Sequence, residues 1–550
     1  MNRALPPASL SKLDRIAIAA LILVAVAQIG AFIAMPFDGY DSPSHLFWVS
    51  EWRHLWQAGM LYPRWLPNSY HGFGAPSFYL YPPLAYMISS AVGLLLPAVG
   101  AMTLIKIVTL LTLALSGLAM YLYLRWRNAN APQSMLFLAS VIFAFAPYRF
   151  FNMTVRAAFS EHVAFMFVPL AFWGLDMILR ERKATRRFSP IGFLLLSVSI
   201  ALLFITNLPT AACVLLMLGT YLVVDREGQL FKTGLLTSAA TVGLLLAAFY
   251  LWPVATYYHS AQLARLWMPF PFMQSTPILG IFTSQAVMIN AYGLLMLLGG
   301  LGLLVTVRSR SNAFRSDDRF SSWFWLLAGV VVLQIPPFSI YPFLHVFPFT
   351  IIQLPARLNS VLLVLMAVVW ADHLSRREHW RTTSYVVLLW SLCMVPLIIV
   401  QLSGIHLRAR EIRLPDDPPE YATRWSPPYD SLAKARMAQD TGWTVKGATI
   451  LNATHVAYHD TIVYDSPNDV TLTLHRAYWP LWQANIEGSS MLTSPDSLGR
   501  LTLKAPAGHH TVTTQLTESS SETLGRWISL GAFVALCVFL LGTRRHTKTN

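Results

Sequence analysis

Apolar runs close to 20 residues long recur along the 550-residue chain, broken by short polar stretches. That length matches the roughly 30 Å of hydrocarbon that a helix must cross. Few charges interrupt the runs, as lipid requires. The pattern predicts a polytopic α-helical membrane protein with about twelve spans, at 16–35, 103–124, 134–148, 163–179, 189–206, 210–224, 233–252, 288–307, 321–336, 354–372, 384–402 and 525–543. One more run, Leu80 to Val99, opens with Tyr81-Pro82-Pro83, and proline is tolerated in a first helical turn. Counted as a span it would turn the later basic clusters outward, so it reads as a juxtamembrane or re-entrant helix.

The apolar pattern stops over 403–523. Pro415-Asp416-Asp417-Pro418-Pro419 and Pro427-Pro428 are turn-forming. After Gly447 the period changes to two: Val470, Leu472 and Leu474 alternate with polar residues, as do Leu501 and Leu503, and Thr511 to Leu516 follows the Pro506-Ala507-Gly508 turn. The expected organisation is a transmembrane module over 1–402 whose outer loop 36–100 carries an acidic motif, a small extracytoplasmic β-sandwich-like domain over 403–523, and a last transmembrane helix with its tail over 524–550. Tyr478-Trp479-Pro480-Leu481-Trp482 offers Trp479 and Trp482 for stacking on a sugar ring; the competing reading is a buried aromatic core.

Composition narrows the class. The chain is 55% hydrophobic and 12% charged, against about a quarter charged in soluble domains. A net charge of +14 raises nucleic acid as a partner, but the distribution excludes it. The basic residues cluster at span ends: Arg3, Lys12 and Arg15; Arg125 and Arg127; Arg180 to Arg187; Arg226 and Lys232; Arg308 to Arg319; Arg376 to Arg381; and Arg544 to Lys548. Such clusters mark the cytoplasmic side, which places both termini there. The intervening short connections carry only Arg53, Arg64, Arg149, Arg156 and Arg265. Cys213, Cys393 and Cys537 fall in apolar runs, so neither a disulfide framework nor a zinc motif is present. The first span lacks a convincing cleavage site and reads as an uncleaved anchor.

Candidate chemistry gathers on the outer connections. Asp38-Gly39-Tyr40-Asp41-Ser42-Pro43-Ser44-His45 sets two carboxylates and an imidazole just beyond the first span. Asp38 and Asp41 suit a divalent cation such as Mg or Mn, or a general base. The alternative for Asp41 is an N-cap of the helix that Ser42-Pro43 begins. His45 lies one turn further on. Glu161, in Arg156-Ala157-Ala158-Phe159-Ser160-Glu161, is a second acidic candidate or a glutamate favoured by a helix start. Arg357, in Gln353-Leu354-Pro355-Ala356-Arg357, sits at the outer lipid surface, where a guanidinium needs a partner and matches phosphate, or snorkels to headgroups. Arg64, Arg156 and Lys106 are further phosphate candidates; Arg64 also has Trp65 on which to stack.

Taken in order, Asp41-x-x-x-His45, Leu61-Tyr62-Pro63-Arg64-Trp65, Gly72-Phe73-Gly74-Ala75-Pro76, Tyr81-Pro82-Pro83-Leu84, Arg156 to Glu161 and Gln353 to Arg357 resemble the bacterial integral membrane family labelled "6-pyruvoyl-tetrahydropterin-synthase-related". The histidine zinc site of the soluble pterin enzyme has no counterpart here. The layout is similar instead to the GT-C membrane glycosyltransferases. That resemblance implies transfer of a sugar from a polyprenyl-phosphate carrier to a glycan, lipid or protein acceptor, with inversion, on the outer face of the bacterial inner membrane. Asp38/Asp41 and Glu161 then take the acidic positions of the first and second outer loops, His45 supports them, and the arginines hold the donor phosphate. Asp38-Gly39-Tyr40-Asp41 is not a tight Asp-x-Asp, which leaves the cation open. The rival classes are a lipid-linked glycan flippase, which predicts internal repeats and mid-membrane polar groups, and a non-catalytic envelope assembly protein.

Overall fold

The computed structural model describes residues 12–129, 131–185, 189–224, 229–263, 299–305, 318–334, 349–374, 418–427 and 444–548, apart from positions 36, 38, 354 and 446, together with a few positions between 387 and 399. The first part of the chain is helical. Helix α1 (Lys12–Ala34) leads to α2 (Ser42–Gln57), the short α3 (Ser77–Leu80) and α4 (Leu84–Leu95). Then follow α5 (Ala101–Arg127), α6 (Gln133–Ala144), α7 (Pro147–Thr154), α8 (Phe159–Ala164) and α9 (Val168–Thr185). Beyond these lie α10 (Pro190–Phe204), α11 (Leu208–Val224), α12 (Gln229–Leu246), α13 (Ala248–Tyr257), α14 (Asp318–Val332) and α15 (Asn359–Leu374). Helix α16 (Ser520–Lys548) follows the strands.

Four stretches among the described residues are long and apolar enough to cross a membrane: Ala101–Arg127, Gln133–Thr154, Phe159–Arg180 and Ser520–Thr543. A fifth is the pair Thr233–Leu246 and Ala248–Ser260, bent by 79°. Shorter apolar helices run over Ile18–Ala34, Pro190–Phe204, Leu208–Tyr221 and Trp323–Val332. The protein is therefore a multi-pass membrane protein, but the count of twelve is not reached among these residues. The reason is partly local, since several runs are shorter or broken, and the expected spans 288–307 and 384–402 lie largely outside the described residues. Helix α4, at 12 residues, is about 18 Å long and cannot cross roughly 30 Å of hydrocarbon.

Small residues bring the helices together, as is usual where lipid removes the hydrophobic drive for association. A Cβ on Gly174 of α9 would lie 2.6 Å from Leu196 N of α10, and one on Gly192 2.9 Å from Met177 Cβ. Away from the outer loops, Arg127 of α5 ties two partner helices. Its Nε and Nη2 donate to Asp372 of α15 at 3.0 and 2.7 Å, and its Nη1 donates to Asp176 of α9. Tyr123 donates to the same Asp176 carboxylate at 3.0 Å. Removing one member would strand a buried charge, at a cost of about 3–5 kcal/mol.

The strands β1 (Thr444–Val445), β2 (Thr449–Val456), β3 (His459–Ser466), β4 (Val470–Ala477), β5 (Trp482–Ile486), β6 (Ser489–Met491), β7 (Thr493–Pro495), β8 (Arg500–Ala505) and β9 (Gly508–Leu516) form two antiparallel sheets. Their orders are β1-β4-β8-β7 and β2-β3-β9-β5-β6. Trp479 and Trp482 are 0% and 1% exposed and meet Trp65 of the outer loop at centroid distances of 6.4 and 5.9 Å. The sugar-stacking role expected for Trp479 and Trp482 is thus corrected: both rings fill the seam between strand domain and helices and present no free face.

Arg64 lies in the same seam. Its Nε pairs with Glu522 Oε1 at 2.9 Å, and its Nη2 donates to Phe249 O at 2.8 Å. Glu522 also closes a capping box: Ser519 N–H donates to its carboxylate at 2.8 Å, and its own N–H donates to Ser519 Oγ at 3.2 Å.

Candidate active site

The chain leaves α1 and turns at once into α2. Proline in the first turn of α2 favours the helix start, and Asp41 occupies the N-cap. Asp41 makes no side-chain capping bond. Its carboxylate points instead towards Arg156 Nη2, at 3.5 Å, and its side chain is 45% exposed. The capping alternative for this residue is therefore not realised.

The second outer connection supplies the other side. The apolar run expected as one span over 134–148 breaks at Pro147, the first residue of α7. Helix α7 ends at Thr154, and a tight turn leads into α8: Arg156 N–H donates to Phe151 O at 3.0 Å and Ala158 N–H to Asn152 O at 2.9 Å. Ala157 carries φ +54° within this turn. A non-glycine residue held there stores strain of the kind that gathers at functional sites.

The two connections are laced together by backbone. Tyr40 N–H donates to Val155 O at 3.1 Å, and Asp41 N–H to Arg156 O at 2.8 Å. Gly39 makes this approach possible. A Cβ there would lie 2.6 Å from Ala157 Cβ, 2.7 Å from Ala157 N and 2.8 Å from Arg156 C.

Glu161 lies at the centre, its side chain 1% exposed. Tyr148 Oη donates to its Oε1 at 2.5 Å and Asn152 Nδ2 to the same atom at 2.9 Å. Arg156 Nη1 donates to Oε2 at 2.8 Å, and Arg357 Nε stands 3.5 Å from that oxygen. Arg357 sits in a single turn, Pro355–Leu358, just before α15. Its Nη1 is held by Ile352 O at 3.2 Å and by Gln353 Oε1, and Gln353 itself has φ +63°. Burial alone would lower the Arg156 pKa, but Glu161 and then Asp41 outweigh it, so the guanidinium holds its proton more firmly than usual.

His45 is buried, and its Nδ1 lies 2.6 Å from Tyr86 Oη. Burial drives its pKa down to about 4, Asp41 partly opposes this, and Arg156 adds to the fall. The ring is thus neutral at pH 7. Tyr81, whose hydroxyl donates to Ser160 Oγ at 3.3 Å, is pushed up to about 12 by burial.

A small cleft opens here, lined by Asp41, His45, Arg156, Glu161 and Arg357, with Tyr81, Ala158, Ser160 and Asn207 completing the wall. Five of the residues singled out in the sequence therefore meet at one place. Arg64 and Lys106 do not join them. Arg64 is committed to Glu522, and Lys106 donates to Ile33 O at 2.8 Å and Met35 O at 2.5 Å, capping the end of α1. Their expected phosphate role is corrected for that reason. Asp38 lies outside the described residues. Tyr148, Asn152 and Gly39 were not singled out in the sequence.

The described residues, which do not include Asp38, form no metal-binding cluster by themselves. Among the described residues no three His, Cys, Asp or Glu side chains come close enough to hold an ion. The Arg156 guanidinium stands between the two carboxylates. What the cleft can do is accept a proton at Asp41 and hold an anion beside two guanidinium groups.

No family model matches the chain. An uncharacterized protein of Lactococcus lactis subsp. cremoris (strain MG1363) is 25% identical over 206 residues, 36% of this chain and 32% of that protein. A cryo-EM structure of the mycobacterial arabinofuranosyltransferase AftD superposes with a TM-score of 0.47 at 14% identity, over 92% of this chain and 40% of AftD. A mutant of that enzyme superposes with a TM-score of 0.42 at 17% identity, over 73% of this chain and 28% of the mutant's. The chain thus spans about a third of the curated relative's length and 40% or less of the AftD chains.

Proposed function

We propose that the chain is a membrane glycosyltransferase of the GT-C type, which moves a sugar from a polyprenyl-phosphate carrier to a hydroxyl acceptor on the outer face of the bacterial inner membrane. The observation that supports this reading is one cleft in which Asp41 and Glu161, from separate connections, meet the guanidinium groups of Arg156 and Arg357. A twelve-span arrangement with cytoplasmic termini belongs to the same proposal.

The geometry divides the labour. Asp41 is the exposed carboxylate and acts as the base: it takes the proton of the acceptor hydroxyl as the acceptor oxygen bonds to the anomeric carbon. The bond from that carbon to the carrier phosphate breaks, and its electron pair leaves with the phosphate. Arg156 and Arg357 receive the growing negative charge. Direct displacement of this kind inverts the anomeric centre. Glu161, with four partners and almost no exposure, cannot reach the acceptor and serves to position the two guanidinium groups. Neutral His45 packs beside Asp41 and donates no charge to the step. Holding both substrates in one cleft supplies much of the acceleration.

The test is Asp41→Asn in the full-length protein, with turnover of a radiolabelled polyprenyl-phosphate sugar as the readout. Loss of a general base lowers the rate by about 10²–10⁴-fold. Unchanged turnover in a folded variant removes Asp41 from the reaction.

A further inference from the structure

From the last residues of α4 to the first of α5 the chain reads Leu94-Leu95-Leu96-Pro97-Ala98-Val99-Gly100-Ala101-Met102, nine residues without a polar side chain. It is not folded away. Leu94, Leu95 and Leu96 are 48%, 81% and 39% exposed, and Leu61, on a different loop, is 82% exposed. Exposed apolar patches of this kind mark contact surfaces.

One side of α2 holds both pieces. Arg53 Nη1 donates to Val99 O at 2.5 Å and Arg53 Nη2 donates to Pro97 O. Three residues on, Trp56 Nε1 donates to Leu61 O at 3.0 Å. Within the turn, Leu96 N–H donates to Val92 O at 3.0 Å and Val99 N–H to Leu96 O at 3.1 Å, and Pro97 has no N–H to satisfy. A loop in water has no need of a guanidinium on its carbonyls, because solvent serves them. A loop in hydrocarbon needs internal partners for its backbone groups, since no water is there to pair with those left open.

The tip also continues into an exposed apolar helix face. Beyond Gly100, α5 exposes Leu111, Leu115, Leu118 and Leu122 at helical spacing, within a stretch apolar and long enough to cross a membrane. We infer that Leu61 and the 94–99 tip insert into the outer leaflet as a rigid wedge, with lipid acyl chains as their partner and Arg53 as the clamp that holds the Pro97 and Val99 carbonyls. Helix α4 then links that wedge to the cleft, because its other end carries Tyr86, the partner of His45. The inference is independent of the reaction proposed above.

The experiment places a nitroxide at Leu95→Cys and, separately, at Leu492→Cys in the full chain reconstituted in phosphatidylcholine vesicles, with the unsubstituted protein as blank. Leu492 lies on the strand domain and is 89% exposed. Relaxation by dissolved oxygen reports lipid and relaxation by a water-soluble nickel chelate reports solvent. At position 95 oxygen is expected to be several-fold more effective than nickel, with the order reversed at 492. Nickel dominating at 95 overturns the inference, and so does spin–spin broadening at 95, which would assign the tip to a second copy of the chain. Adding Arg53→Met to the 95-labelled protein is expected to shift the label toward nickel, and an unchanged ratio overturns the clamp.

Discussion

Gly39→Ala tests the construction of the cleft at a position that carries no chemistry. The added Cβ would start 2.6 Å from Ala157 Cβ and 2.7–2.8 Å from backbone atoms of Ala157 and Arg156. Carbon contacts settle near 3.5 Å or beyond, so the two connections must part by about 0.9 Å. No flexible side-chain end is available to yield. The bonds from Tyr40 N–H and Asp41 N–H, now 3.1 and 2.8 Å, would stretch past the useful range. Losing both costs about 2 kcal/mol. The Asp41 carboxylate moves with them, and a displacement near 1 Å lowers turnover by about 10²-fold. The assay pairs radiolabelled sugar transfer with a thermal melt of the detergent-solubilised protein. Adding Ala157→Gly removes the nearest clash and the left-handed strain but leaves the backbone contact, so rescue should be partial. Wild-type transfer together with a wild-type melt in Gly39→Ala would refute the backbone lacing.

Three further outcomes follow from the same geometry. Glu161→Gln leaves Arg156 and Arg357 with their shared carboxylate gone, so it should destabilise the protein by about 3–5 kcal/mol, read as an early melt, whereas Asp41→Asn should melt near the wild type. His45 has a folded pKa of about 4 against 6.5 unfolded, so the unfolded chain binds the extra proton between those values. Stability is full above pH 6.5 and falls by about 3 kcal/mol as pH drops towards 4; melts across that range should show this slope, and His45→Gln should flatten it. Because Arg156 stands between the two carboxylates, transfer should persist in excess EDTA, and its complete loss, restored by Mg or Mn, would point to a cation held through Asp38.

Much of the cleft was legible in the sequence because charge is conspicuous where apolar runs end. Asp41, His45, Arg156, Glu161 and Arg357 each interrupt such an end, and each lines the cleft. What the sequence hid was the partner of each charge. Arg64 and Lys106 stand out equally well, yet one is neutralised by Glu522, more than 450 positions away, and the other donates to carbonyls that any residue provides. Tyr148 reads as the end of the apolar run 134–148 and Asn152 as part of the connection after it, and only the break at Pro147 turns them towards Glu161. Gly39 reads as a loop glycine, because its reason is a contact with a turn more than 100 residues on. In the strand domain the period of two was plain, but whether the rings of Trp479 and Trp482 face solvent or a neighbour depends on Trp65.

The pairing of Arg64 with Glu522 gives α16 a reach beyond its own length. Over its membrane-crossing part this helix is only 11% buried, as a simple tether would be. Yet the residue that closes its first turn also neutralises a cation in the loop that bears Asp41. Deleting residues 517–550 would therefore behave as a lesion of that distant loop, leaving an orphaned guanidinium beneath the strand domain.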